Sequence, residues 1–225
     1  MKQAVVLLSG GLDSATALYW ARSRGFRAIA LSVRYGQRHA RELVAAREVA
    51  RTAGAQLIPL RLSIPWLKAS SLVDSGKPLP EVPAKSIGRG AIPSTYVPGR
   101  NTIFLALAVS LADTIGAEAV VVGANSQDYS GYPDCRPEFN RAFERAARMG
   151  TRRGAEGRKI SVLAPLQRLD KAAIVRLALR LRVPLELTWS CYRGGKRPCG
   201  LCDSCQLRAR GFAAAGLPDP AIKRR

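Results

Sequence analysis

A chain of 225 residues with 47% apolar and 23% charged residues has material for one good core and not for two independent domains of ordinary size. That balance excludes a disordered or fibrous chain. The formal charge of +20 would suit a phosphate-rich partner, but the basic residues are spread over nearly every expected helix. No basic stretch interleaved with aromatics occurs, so direct nucleic-acid binding is not expected.

In chain order, residues 4–8 form a continuous apolar run, as expected of a parallel strand buried on both faces. Five apolar residues are too few for the apolar region of a signal peptide or for a membrane span, so a cytoplasmic protein without membrane contact is expected. Residues 14–24 carry Ala15, Leu18, Tyr19, Ala21 and Arg22 at helical spacing, and Gly25 ends that helix. Residues 28–33 read as a second strand, 38–53 as a helix stopped by Gly54, and 56–60 as a third strand. Such alternation predicts an α/β fold with a parallel sheet and right-handed crossovers.

From 63 to 98 the pattern dissolves into Pro, Gly and Ser around short apolar patches, which reads as a functional loop or lid. Order returns with an apolar helix over 101–114 and a strand over 119–123. A polar loop, 124–136, precedes a helix over 138–149. Residues 151–159 read as an exposed basic connection, 161–163 as a last strand, and 170–181 as a helix capped by Asp170. A helix over 204–215 follows a cysteine-rich segment. The expected organisation is a main α/β domain over 1–186, a metal-binding appendage with its helix over 187–217, and a basic tail over 218–225.

The loop Ser9-Gly10-Gly11-Leu12-Asp13-Ser14 turns the chain after the first strand and opens a helix. The first amides of a helix lack intrahelical partners, and with the positive end of the dipole they form an anion site. Two glycines let backbone approach a ligand, Ser9 and Ser14 add hydroxyl donors, and Asp13 is suited to hold Mg²⁺ between phosphate oxygens. The pattern is neither the dinucleotide fingerprint nor the Walker loop, because the glycine spacing and the lysine of those motifs are missing. It resembles the pyrophosphate loop of the N-type ATP pyrophosphatases, which activate a carboxylate or carbonyl oxygen by adenylation.

Four further segments narrow the resemblance: Tyr35-Gly36-Gln37-Arg38-His39, Tyr96-Val97-Pro98-Gly99-Arg100-Asn101, Asp128-Tyr129-Ser130-Gly131-Tyr132-Pro133-Asp134-Cys135-Arg136, and Cys191, Cys199, Cys202 and Cys205. Together they resemble the 7-cyano-7-deazaguanine synthase family of the queuosine pathway along nearly the whole chain. The resemblance implies a Rossmann-like, adenine-nucleotide α-hydrolase-like fold. It also implies a homodimer that uses ATP and Mg²⁺ to convert 7-carboxy-7-deazaguanine and ammonia to the nitrile. Carried onto these positions, it puts ATP on Leu8, Ser9, Gly10, Gly11, Leu12, Asp13, Ser14 and Arg38, with Asp13, Ser14 and Arg100 as catalytic candidates. His39, Asn101, Asp128, Tyr129, Tyr132, Asp134 and Arg136 become candidates for substrate binding. Asp134 is suited to accept from a guanine-like N–H edge, and the tyrosines to stack on the ring. Cys135 is equally consistent with a thiol beside the substrate and with packing.

Four cysteines within fifteen residues, in a reducing compartment, point to a metal rather than to disulfides. Spacing alone leaves a tetrahedral zinc site and an iron–sulfur cluster both open; the synthase resemblance implies structural Zn²⁺. Two competing readings remain: a relative that adenylates a base in tRNA, which the positive charge would suit, and a module that binds ATP without turnover.

Overall fold

The apolar runs form a parallel sheet in a computed structural model that describes residues 1–38, 41–81, 87, 92–125 and 132–222. Strand β1 (Gln3–Leu7) is central, pairing in parallel with β2 (Arg27–Arg34) on one side and β4 (Ala119–Val121) on the other. Val5 lies opposite both Ile29 and Val120. Strands β3 (Gln56–Arg61) and β5 (Ser161–Leu163) complete the order β3-β2-β1-β4-β5. Pro59 sits on the edge strand β3, where a missing N–H does no harm to the ladder.

Alternation along β1 sends Ala4 and Val6 to one face and Val5 to the other. On the first face pack α1 (Leu12–Ser23), α2 (Arg41–Thr52), α6 (Lys171–Arg180) and α7 (Asp203–Ala214), joined through Leu18, Val49, Ile174 and Phe212. On the second pack α3 (Arg100–Ile115) and α4 (Pro137–Gly150), with Leu105, Val109 and Ala147 buried against Val5 and Val120. Each buried Val or Leu contributes about 1.5–3 kcal/mol relative to exposure. No helix among the described residues is long and apolar enough to cross a membrane.

The elements agree with the sequence to within three residues at each end, and two segments depart from it. The supposed exposed connection over 151–159 contains the short helix α5 (Arg152–Ala155), and Arg153 there is buried. The Asp113 carboxylate accepts the N–H groups of Arg152 and Arg153, and the Arg153 guanidinium donates to the Gly116 carbonyl at 3.1 Å. The stretch after residue 63 holds a 3₁₀ turn, Pro65–Ala69, and its Leu67, Leu72 and Val97 bury a small cluster with Tyr35. The described part of that segment therefore packs in part against Tyr35.

Sheet order reverses at β1, whose neighbours β2 and β4 continue in opposite directions. The loops leaving β1 and β4 consequently diverge and open a crevice at the carboxyl ends of the strands.

Candidate active site

The crevice holds a cavity of about 280 Å³, and the loop after β1 forms its floor. Gly11 caps α1 with its backbone only, so the first-turn N–H groups keep no side-chain partner at the cap. Ser9 and Ser14 brace the turn: their hydroxyls are 3.0 Å apart, and the Ser14 hydroxyl donates to the Gly11 carbonyl at 3.1 Å. Leu8, Ser9, Gly11, Leu12, Asp13 and Ser14 all line the cavity. Gly10 instead shapes the turn, with φ of +88°.

Asp13 meets two groups that sequence reasoning missed. Its Oδ2 accepts from the Asn125 amide at 3.0 Å and is ion-paired with Lys171. Its Oδ1 is buried without a hydrogen-bond partner among the described residues. An orphaned anionic oxygen at a helix N-terminus fits a hard cation such as Mg²⁺. Lys171 is the first residue of α6, next to Asp170, whose carboxylate accepts the Ala173 N–H at 2.7 Å as the cap expected from sequence. A signal for Lys171 did exist. In an open parallel sheet, the helix after each strand begins at the carboxyl end, so polar first-turn residues face the crevice.

Across the cavity lies Arg100, at the start of α3. Its guanidinium donates to the Tyr35 hydroxyl at 3.4 Å, and no carboxylate among the described residues pairs with it. Burial works against the Arg100 charge, and the adjoining Tyr35, Tyr132 and Cys135 together outweigh it, so its pKa is raised. Burial pushes the Tyr35 phenol up in turn, against the pull of Arg100. The pair is thus a cation beside a neutral phenol, which leaves the Arg100 charge without an ion-pair partner among the described residues.

Asn101 and Asp134 sit beside Arg100 and are bonded to each other. The Asp134 Oδ2 accepts the Asn101 backbone N–H at 2.9 Å, and the Asn101 amide donates to the Asp134 carbonyl and the Cys135 Sγ at 3.3 and 3.1 Å. Asp134 therefore caps α3 as well as lining the cavity. The Tyr132 hydroxyl is 2.9 Å from the Thr95 hydroxyl, and its ring is tilted against Tyr96. Cys135 is buried at the cavity wall.

Two predicted residues are not brought into this cavity. Arg38 donates to the Ser75 carbonyl and lines a separate surface cleft. Arg136 is exposed, and its backbone precedes α4. His39, Asp128 and Tyr129 lie outside the described residues.

The four cysteines converge. The sulfur atoms of Cys191, Cys199, Cys202 and Cys205 lie within 4.8 Å of one another, and none is in a disulfide. The Cys199–Cys205 separation is 3.9 Å, against an edge of about 3.8 Å for a tetrahedron of metal–sulfur bonds near 2.3 Å. Backbone N–H groups of Leu201 and Cys202 point at the Cys199 Sγ, and that of Cys199 at the Cys191 Sγ. The hydrogen bond from Cys205 pulls the Cys202 thiol down to about 5, and the same bond pushes Cys205 up. Burial pushes Cys191 up. One thiolate nested among thiols is a donor set suited to a soft metal ion that displaces the remaining protons.

Known proteins resemble this chain along nearly its whole length. A family model described as queuosine biosynthesis protein QueC matches residues 3–216. A 7-cyano-7-deazaguanine synthase of Anaeromyxobacter sp. (strain Fw109-5) is 53% identical over 227 residues, covering 98% of this chain and 96% of that protein. One of Dechloromonas aromatica (strain RCB) is 52% identical, covering 100% and 99%. Among solved structures, NMN synthetase from Francisella tularensis overlays with a TM-score of 0.53 at 16% identity, covering 96% of this chain and 78% of that one. This last likeness bears on the fold alone. The α/β fold and the family read from the loops and cysteines are both borne out: the chain belongs to the QueC family of queuosine biosynthesis proteins.

Proposed function

We propose that this chain is an ATP-dependent C–N ligase that converts 7-carboxy-7-deazaguanine and ammonia to 7-cyano-7-deazaguanine. The observation that carries this reading is a single cavity with two ends. One holds the Asp13–Lys171 pair at a helix N-terminus, and the other a guanidinium, Arg100, that is ion-paired with no carboxylate among the described residues.

A carboxylate is a poor electrophile, because its carbon is electron-rich and would have to expel oxide. Attack of a carboxylate oxygen on the α-phosphorus of ATP forms an acyl adenylate and releases pyrophosphate. Ammonia adds to the carbonyl carbon, loses a proton and expels AMP, leaving the amide. The amide oxygen then attacks the α-phosphorus of a second ATP and expels pyrophosphate, and loss of AMP with the two amide protons gives the nitrile. No nucleophilic side chain is needed, so positioning and electrostatic stabilisation supply the rate.

In this reading the N–H groups and hydroxyls of Ser9, Gly11 and Ser14 hold phosphate oxygens. Asp13 Oδ1 would hold a Mg²⁺, which would supply charge neutralisation for the phosphates. Lys171, already beside Asp13, reaches the departing pyrophosphate. Arg100 binds the substrate carboxylate, Asn101 and Asp134 flank its polar edge, and Tyr132 offers a ring face. Residues 1–186 carry the catalysis, 187–217 a structural Zn²⁺ on the four cysteines, and 218–225 a basic tail. The enzyme works as a cytoplasmic homodimer on small molecules, without direct contact to nucleic acid.

Incubation with ATP, Mg²⁺, ammonia and the carboxy-deazaguanine should yield nitrile, with AMP and pyrophosphate each at twice its amount, measured by chromatography and mass spectrometry. AMP release that requires tRNA and gives no nitrile would overturn the reading. For the zinc, Cys202→Ser should lose the metal and melt about 10 °C or more below the parent, since each kcal/mol lost shifts a chain of this size by about 2–4 °C. Iron and sulfide in place of zinc by elemental analysis would refute that assignment.

A further inference from the structure

The phosphate loop and the cysteine segment, separate in sequence, meet at one residue. Gly10 is wedged against α2: a Cβ there would stand 2.4 Å from the Glu42 carbonyl oxygen and 2.5 Å from the Ala46 nitrogen. From the other side the Trp189 backbone N–H donates to the Gly10 carbonyl at 2.9 Å. In a trans peptide the C=O and the following N–H point opposite ways. A bond that holds the Gly10 carbonyl therefore aims the Gly11 N–H toward the cavity, where it now finds the Ser9 hydroxyl at 3.3 Å.

The rest of Trp189 belongs to the cysteine site. Its indole N–H donates to the Cys191 carbonyl at 2.9 Å. Its buried ring shares one apolar cluster with Ala45, Cys191, Cys202 and Cys205. The Arg41 guanidinium lies 4.8 Å from the ring centre and donates to the Lys196 carbonyl, between Cys191 and Cys199. The residue before Trp189 is held too: buried Arg208, paired with Asp219, donates to the Thr188 hydroxyl at 2.8 Å.

We propose that Trp189 is a positioning residue that couples metal occupancy of the four-cysteine site to nucleotide binding at the phosphate loop. This rests on the reading that the loop holds ATP and the thiols a metal. With the metal bound, the ring has a fixed wall of ligating cysteines, and the Gly10–Gly11 peptide is held in the orientation that presents its N–H to phosphate. Without the metal that wall loosens, and the peptide is free to turn away. Linkage makes the effect reciprocal: whatever factor the metal adds to nucleotide affinity, nucleotide adds to metal affinity.

The test is zinc affinity of the reconstituted full-length protein, by equilibrium competition with a chromogenic chelator, with and without saturating ATP and Mg²⁺ and against a protein-free ATP blank. Nucleotide should tighten zinc by about fivefold or more, the low end of typical couplings. Trp189→Phe keeps a ring but lacks the indole donor, and Trp189→Ala lacks both. Each should reduce the gain to below about twofold and raise the ATP KM by a similar factor, with kcat little changed. If the alanine variant does not fold, the phenylalanine variant decides. Calorimetric ATP binding by the parent with no change in zinc affinity overturns the coupling alone, as does a full gain in the phenylalanine variant. Absence of ATP binding to the zinc-loaded parent overturns the functional reading and the coupling together.

Discussion

Asp13 serves two neighbours with different needs. Its Oδ2 accepts from Lys171 and Asn125, while its Oδ1 is buried with no hydrogen-bond partner among the described residues. An unpaired buried carboxylate oxygen is costly unless a ligand completes it. Asp13→Asn keeps the shape and removes the charge that both a cation and Lys171 require, so single-turnover AMP formation should fall by about 100-fold or more. Lys171→Met should cost a comparable factor, because it removes the cation paired with Asp13 in the cavity. The two act as a unit, so the double variant should lose far less than the product of the single losses. Multiplicative losses in the same assay would separate the two residues in the mechanism. Asp13 was legible because its motif spacing is distinctive. Lys171 was missed despite its place at a helix start over the carboxyl ends of the strands, because Asp170 already explained that start and the residue is one basic side chain among many.

At the scale of elements, α7 sets the position of Lys171 from behind. A Cβ on Gly211 would lie 2.8 Å from the Lys171 Cβ and 3.3 Å from its backbone carbon, so the two helices meet nearly backbone to backbone. Gly211→Ala must push α6 and α7 apart or turn Lys171 out of line. Overpacking of this kind costs about 1–3 kcal/mol, and a displacement near one ångström at a catalytic group can cost far more in rate than in stability. The expected result is a melting temperature lower by about 2–12 °C, from 2–4 °C per kcal/mol. The drop in kcat should be about tenfold or greater. An alanine variant with unchanged kcat would show that Lys171 is not held through this contact. Strands and helices were readable in the sequence because buried runs such as 4–8 and helical stripes such as Leu18 with Ala21 repeat at regular periods. Leu67, Leu72 and Val97 were not readable as a packed cluster, since single apolar residues without a period leave no such trace. Nor does a periodic pattern show that Asp134 caps α3, because that bond joins residues 33 positions apart.

For the molecule as a whole, the charge balance bears on encounter rather than on fold. Lys and Arg number 36 against 16 Asp and Glu, and ion pairs such as Arg51–Glu48 and Arg141–Glu138 are solvent-exposed, where each is worth about 0–1 kcal/mol. Most of the positive charge is thus uncompensated, and a crevice with low-dielectric walls focuses the resulting field. ATP and the carboxy-deazaguanine are both anions, ATP the more highly charged. Exposed charges act over a Debye length of about 10 Å at 0.1 M salt and about 3 Å at 1 M. Groups proposed to touch phosphate directly, such as Ser14 or Lys171, would be screened much less. Raising potassium chloride from about 0.05 to about 0.5 M should therefore raise the ATP KM several-fold and leave kcat within about twofold, with a smaller effect on the KM of the carboxy-deazaguanine. Steady-state kinetics at constant free Mg²⁺ would measure both. An ATP KM flat over that range would mean that recognition rests on the buried contacts around Asp13 and Arg100 alone. The uncompensated surface charge would then play no part in bringing nucleotide to the site.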